Sequence, residues 1–396
     1  MGDDNGTIDI PKGKLVGGSW VVTRKLGEGG CGSVYLVKNI DDDTEAAMKA
    51  ESSLASGGCV LKLEVAMLKK LNGKPHVAQL LFSAKVSTFS YVIMTLLGDS
   101  LGRITKKLGR AVTVSSQVRV AINVLFCLKQ IHDVGFIHRD LKPANMALGR
   151  PGTSECRFFH ILDFGLARQF VVPNSDDPKI MMMRRPRDKA LFRGTTRYCS
   201  IRMHDRVEQG RVDDLWSMLY LLAELRGPLP WAAQSDKKVV GEMKRLHTDE
   251  FVLQNSPLEF LEIAKHLRSL NYYTRPDYLK IFLLLVSVML KGKFSWNDPF
   301  DWEMGPGTSK SPAASSPNVR RSRESTGKKS NMSREMAKSY LSKELIKPGK
   351  DKGPSAEKMS AEKSNDEKEE LKYDRDEILQ ILPFDPEFFK VDPIGF

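Results

Sequence analysis

The sequence predicts an α+β chain, β-rich with one main helix over its first part and α-helical beyond. Three features carry that prediction. Apolar alternation at residues 20–25 and 35–37 flanks a glycine-rich turn, the pattern of a hairpin. One amphipathic stretch follows at residues 60–71, with Leu61, Val65, Leu68 and Leu71 at helical spacing. Beyond about residue 98 the apolar segments read as helices, chiefly 117–132 and 281–290.

At 396 residues the chain exceeds one average domain, and 41% hydrophobic residues suffice for a sizeable core. The five cysteines (Cys31, Cys59, Cys127, Cys156, Cys199) are scattered, odd in number and never in a CxxC pair. That argues against a disulfide framework or zinc site and for a reducing intracellular setting. Residues 1–13 are acidic and glycine-rich, so no secretory signal is expected there. The longest apolar run, 281–290, is too short to span a bilayer, so no membrane insertion is expected. The expectation is a soluble monomer of the cytoplasm, with the nucleus as a second compartment. A formal net charge of +12 admits nucleic acid, anionic lipid, or acidic and phosphorylated partners. Composition alone does not choose among these; as a function, a nucleic-acid or polyanion binder is the weakest reading, since no RNP-type aromatic motif offers a stacking platform.

In chain order, residues 1–19 read as a flexible leader. Leu26 then enters Gly27-Glu28-Gly29-Gly30-Cys31-Gly32-Ser33-Val34, in which Gly27, Gly29 and Gly32 give G-x-G-x-x-G and Val34 completes the extended form. Glycines let backbone N–H groups approach phosphates with no side chain in the way. Alone this is weak, because a glycine-rich hairpin turn looks the same; a strand after the turn, not a helix, separates it from a dinucleotide-binding unit. Ala47-Met48-Lys49 matches the end of V-A-I-K, whose lysine holds phosphates. Glu64 on the 60–71 helix is the best acid to pair with Lys49; an exposed helix-face glutamate is the plainer alternative.

The chemistry concentrates in His138-Arg139-Asp140-Leu141-Lys142-Pro143-Ala144-Asn145, followed by Asp163-Phe164-Gly165. These are complete H-R-D-L-x-x-x-N and D-F-G motifs, in order. Phosphoryl transfer needs a positioned hydroxyl, in-line geometry and neutralised phosphate charge. Asp140 suits proton acceptance from the hydroxyl, and Lys142 suits the transferred group. Asn145 and Asp163 offer the oxygen ligands that magnesium prefers.

On these motifs the chain resembles the protein kinases, which implies the bilobal protein kinase fold over 20–303, with an N-lobe of about 20–97 and a C-lobe of about 98–303. The resemblance further implies ATP and Mg2+ in the cleft, with Met94 as gatekeeper and the Leu96 and Leu97 backbones on the adenine edge. The segment from Asp163 to about His204 is basic, with Arg184, Arg185, Arg187, Lys189 and Arg193, and holds no Ser, Thr or Tyr between Asp176 and Gly194. Phosphorylation within that stretch is excluded, while Thr195 and Thr196 stay modifiable. Asp214, in Asp213-Asp214-Leu215-Trp216-Ser217, is an acid able to brace the catalytic loop. Gly194-Thr195-Thr196-Arg197-Tyr198-Cys199-Ser200, Glu208-Gln209, Leu229-Pro230-Trp231 and Phe300-Asp301-Trp302 resemble the casein kinase 1 superfamily. Within it, the Arg-Arg-Pro-Arg segment is most similar to the tau-tubulin kinases. Arg202 stands where that family carries asparagine. The resemblance implies serine/threonine specificity and acidic or phosphorylated protein substrates, with Arg197 and Arg193 as anion-binding candidates.

From 304 to 373 the chain reads as a disordered charged linker, too poor in apolar residues to offset chain entropy. Residues 374–396 return to an apolar-acidic pattern and read as a docking element, on this domain or on a partner. The expected activity is that of an ATP-dependent serine/threonine kinase; the alternative is a pseudokinase scaffold that binds partners through the domain and tail.

Overall fold

The computed structural model describes residues 8–29, 32–53, 60–304 and 373–396. The N-lobe carries β1 (Leu15–Val16), β2 (Trp20–Gly29), β3 (Gly32–Asn39), β4 (Glu45–Ser52), α1 (Val60–Leu71), β5 (Leu80–Lys85) and β6 (Phe89–Thr95). Its strands form one antiparallel sheet in the order β1-β2-β3-β4-β6-β5. Strand alternation divides the faces. Ala46, Met48 and Ala50 of β4 are buried with Trp20, Val22, Tyr35, Val37, Tyr91 and Ile93 in a small core, while Ala47 and Lys49 take the opposite face.

The expected flexible leader is corrected over its second half. Ile10 and Val16 belong to that core, Ile8 packs on it, and β1 pairs with β2. The Tyr35 hydroxyl accepts from the Ile10 amide at 3.0 Å and donates to the Ile8 carbonyl. An acidic, glycine-rich composition conceals three apolar residues that find partners only in the folded sheet.

The C-lobe carries α2 (Leu101–Leu108), α3 (Val114–Asp133), β7 (Phe136–Ile137), β8 (Met146–Leu148), β9 (Phe159–Ile161), β10 (Arg168–Gln169), β11 (Val171–Pro173) and β12 (Met181–Met183). The helices α4 (Ile201–His204), α5 (Arg211–Arg226), α6 (Lys237–Leu246), α7 (Asp249–Val252), α8 (Leu258–Arg268) and α9 (Tyr278–Gly292) follow. Helix α3 is buried on every side from Ser116 to His132, so its polar side chains are buried with its apolar ones and need partners. Its charged residues are all partnered. Arg119 donates to the Pro299 carbonyl at 3.1 Å and covers the Phe300 ring, and Lys129 pairs with Asp133 at 2.6 Å. Thr113 caps the helix by accepting from the Ser116 amide. Asp301 in turn accepts from the Thr113 amide and hydroxyl, both at 2.8 Å. No helix among the described residues is long and apolar enough to cross a membrane.

One structural unit takes in Met1–Gly305 and Leu371–Phe396. Two short helices, α10 (Arg375–Ile381) and α11 (Pro386–Lys390), lie in the second part. Asp374 and Asp385 cap them by accepting first-turn amides. Ile378, Leu382, Phe384 and Phe389 are buried in the C-lobe core. Each such side chain contributes about 1.5–3 kcal/mol, as an upper figure. Residues 305–372 of the expected linker, and the glycine-loop residues Gly30 and Cys31, lie outside the described residues.

Candidate active site

Antiparallel register assembles the N-lobe wall of the candidate site. Val34 sits opposite Lys49, and Ala47 opposite Met94, so residues from three strands occupy adjacent rungs. Gly27 and Gly29 are exposed, and Gly29 faces Gly32 across the hairpin. Gly32 has φ +108, and a Cβ there would stand 2.1 Å from the Ala50 carbonyl oxygen, so only glycine fits. Leu26 is half-buried, and Glu28 pairs with Lys25 at 2.5 Å instead of facing the cleft. Met94 is buried; Leu96 and Leu97, half-buried, follow the last paired residue of β6.

Lys49 donates to Glu64 at 2.7 Å and to Asp163 at 3.0 Å. Burial pulls the ammonium down, but the two carboxylates outweigh it and hold it above the ordinary lysine value. For Asp163 burial pushes up and Lys49 more than reverses it, leaving the carboxyl below its usual range. Helix α1 is held in place by Glu51, buried at the end of β4, which accepts from the Val60 and Leu61 amides at 3.3 and 3.1 Å. Sequence reasoning missed Glu51, because a cap nine residues upstream has no local signature.

The opposite wall is built around Asp140, which is 7% exposed. One carboxylate oxygen accepts from the Thr195 amide at 2.8 Å and hydroxyl at 2.7 Å. The other accepts from Lys142 at 2.7 Å and from the Asn145 amide at 3.3 Å. Asn145 also donates to the Asp140 carbonyl at 3.0 Å, which leaves its Oδ1 as the free acceptor. Thr195 was expected only as a modifiable residue; its hydroxyl is engaged with Asp140 and Lys142. Gly194 allows this approach, since at φ +99 a Cβ would lie 2.5 Å from the Arg139 carbonyl oxygen.

Asp214 sits behind this wall. It accepts from the His138 amide at 2.7 Å, the Arg139 amide at 2.8 Å and His132 Nε2 at 3.0 Å. Burial alone would raise its carboxyl, yet the His132 hydrogen bond and its neighbours hold it low. The His138 ring accepts from the Asp140 amide and donates to the Leu162 carbonyl, and it meets Phe164 edge-on at 5.6 Å. Phe164 is buried. The catalytic loop, the D-F-G segment and α5 therefore form one hydrogen-bonded and packed block.

The two anion candidates separate. Arg197 pairs with Glu224 at 3.0 Å and donates to the Ala232 carbonyl at 2.6 Å. That corrects the expectation for Arg197, because its guanidinium is already engaged and ties the loop to α5. Arg193 is exposed, and its side chain has no partner among the described residues. Near it, Arg168 and Arg187 both pair with Glu208, at 3.2 and 2.5 Å. Burial, with Arg168, Arg187 and Arg193 adding to it, pulls the Arg139 guanidinium down to about 10. Arg168 and Arg187 thus share the carboxylate of Glu208, and the charges of both, with that of Arg193, act on Arg139. Lys244, also missed, is buried and donates to the Thr196 and Cys199 carbonyls at 2.8 and 2.6 Å. Burial pulls its ammonium down to about 8.

The protein kinase domain family matches residues 20–282. This chain belongs to the protein kinase family. A Caenorhabditis elegans protein that carries the name of a serine/threonine-protein kinase is 48% identical over 79% of this chain and 90% of its own length. The inactive tau-tubulin kinase ttbk-6 of the same organism is 39% identical over 61% of this chain and 86% of its own. Casein kinase I homolog 2 of Saccharomyces cerevisiae is 31% identical, covering 73% of this chain and 53% of that protein. The kinase is thus a serine/threonine protein kinase with casein kinase I and tau-tubulin relatives.

Arg202 accounts for itself in this kinase through Asp213. The Asp213 carboxylate accepts from the Ser200 hydroxyl and, at 2.6 Å, the Gly210 amide, with Arg202 3.8 Å away. Burial pushes Asp213 up to about 6, against those three. A carboxyl raised on folding stabilises below about pH 4, and that contribution is lost as pH rises through about 6. Arg202→Asn removes the cation and pushes Asp213 higher still. The variant's deficit in Tm is expected to be small near pH 5.5 and larger near pH 8, each further pKa unit costing about 1.4 kcal/mol. Thermal melts at the two pH values check this; a pH-independent deficit would separate Arg202 from Asp213.

Proposed function

We propose that this kinase transfers the γ-phosphoryl group of magnesium ATP to serine or threonine hydroxyls near acidic or phosphorylated residues of protein substrates. The observation that carries the reading is the pair of charged groups, Lys49–Glu64–Asp163 and Asp140–Lys142–Asn145–Thr195, joined through the Leu162 amide, which donates to the Asn145 carbonyl at 2.8 Å. The acceptor oxygen attacks the γ-phosphorus while the bond from that phosphorus to the β–γ bridging oxygen breaks, and ADP leaves. Asp140 orients the hydroxyl and takes its proton. Lys142 lies against the transferred group, and Lys49 against the phosphates that stay behind. The donor set fits magnesium: Asn145 turns its amide nitrogen to Asp140 and keeps its oxygen free, and Asp163 is a carboxylate held low. Bound there, Mg2+ would neutralise phosphate charge as it is redistributed. A pseudokinase reading, suggested by the inactive relative, has the filled Lys49, Asp140, Asn145 and Asp163 positions against it.

The excess of arginine around Glu208 supports anion selection, with Arg193 as the unpaired group. Peptides differing only in one phosphoserine test it. Arg193→Gln is expected to raise KM for the phosphorylated peptide about fivefold, the equivalent of about 1 kcal/mol for a solvent-facing pair, and to leave the plain peptide unchanged. Equal effects on both peptides would remove Arg193 from substrate selection.

A further inference from the structure

Among the described residues, none of 373–396 contacts Lys49, Asp140, Asn145, Asp163 or Thr195. The segment lies instead against the parts that hold the cleft in shape. Its anchor is aromatic. Phe389 stacks on Phe282 at 4.1 Å between centroids. Phe384 packs on Phe126 and Trp296 at 4.9 and 5.2 Å. Phe388 lies 4.4 Å from Phe126 and has the Lys129 ammonium 4.4 Å over its ring. Further along, Arg275 donates to the Val391 carbonyl at 2.8 Å and stands 3.4 Å from Asp392.

The far end reaches the chemistry from behind. Ile394 and Phe396, together with Met183, pack on Ile137, Phe170 and Val171. Ile137 directly precedes His138, and Phe170, Val171 and Met183 belong to the start of the activation segment and its return strand. Arg211 donates to the Phe396 carbonyl and to the Tyr273 carbonyl, and its guanidinium lies 4.9 Å over the Phe170 ring. Arg211 also opens α5, three residues before the Asp214 that holds the His138 and Arg139 amides.

We infer that residues 373–396 form an activating strap, in which Ile394, Phe396 and Arg211 are positioning residues for the catalytic loop and activation segment. The strap raises turnover by fixing where Asp140 stands, and it does not block the cleft. This rests on the kinase reading above. An inhibitory tail would cover the substrate side of the cleft, whereas this segment fills an apolar groove on α3 and α9 and ends beneath β7 and β11.

The test uses the full chain carrying Ile394→Ser and Phe396→Ser, two half-buried positions far from the anchor. Wild-type transfer to a serine peptide is the control; its absence would sink the kinase reading, not the strap. With wild type active, the double variant is expected to lose about tenfold in kcat, since misplacement far from the chemistry disturbs alignment. KM for ATP and the Tm are expected to hold, and Phe396→Leu alone to keep most of the rate. In a second variant, Phe384→Ser with Phe389→Ser, a synthetic peptide of residues 373–396 is expected to restore turnover in trans. Unchanged or faster turnover in the Ile394/Phe396 variant would overturn the strap. So would a fall that merely follows the fraction of unfolded protein.

Discussion

Asp140→Asn is expected to lower kcat by about 10²–10⁴-fold while nucleotide affinity stays within a few-fold of wild type. The substitution keeps the shape of the side chain and removes its charge and its basicity. An amide can keep one oxygen on the Thr195 amide and hydroxyl, but its nitrogen then faces the Lys142 ammonium and the Asn145 amide, both donors. Lys142 is partly exposed and can swing towards solvent, so the fold tolerates the change. The Lys49–Glu64–Asp163 group is untouched. Single-turnover phosphate transfer alongside a nucleotide-binding titration separates the two effects. Turnover equal to wild type would end the assignment of Asp140 as the proton acceptor.

The second large effect belongs to a residue that never meets a substrate. Asp214→Ala is expected to cost about 3–5 kcal/mol of stability, the range for removing one partner from a buried charged network. It leaves the His138 and Arg139 amides without their acceptor, and His132 without its carboxylate. Arg139 adopts φ 70, a left-handed conformation that arginine takes only when its surroundings enforce it. With the carboxylate gone, that residue can relax, and Asp140 moves with it. The expectation is a lower Tm together with a fall in kcat larger than the fraction unfolded accounts for. Loss of stability with full specific activity in the remaining folded protein would make Asp214 structural only.

The catalytic set was legible because phosphoryl transfer demands particular residues at fixed short spacings. Asp140, Lys142 and Asn145 lie within six residues, and nothing in the rest of the chain has to be known to name them. The Lys49–Glu64 pair was legible for a related reason: a strand lysine followed by one amphipathic helix offers few acids at the right place, and the structure brings them to 2.7 Å. Helix α1 was readable from apolar spacing alone, and it spans the periodic stretch, Val60–Leu71.

Other features had no local signal. Thr195 reaches Asp140 across 55 residues of sequence, Glu51 caps a helix nine residues away, and Arg197 meets Glu224 across a turn and a helix. A side chain's role in such pairs depends on which distant group is already nearby, and periodicity carries no information on that. For this reason a charge pattern alone gave Arg193 and Arg197 the same role, and only their partners separate them.

The sequence by itself determined the kinase family, the α+β class and the candidate residues, because short motifs and apolar periods are written over a few consecutive residues. Only the tertiary structure decided where the domain stops. Ile8, Ile10 and Val16 join the N-lobe core, and Phe384 and Phe389 fill a groove in the C-lobe core. Burial is a property of surfaces that meet in space, so apolar residues outside the periodic stretches declare themselves as core only when the partner surface is formed.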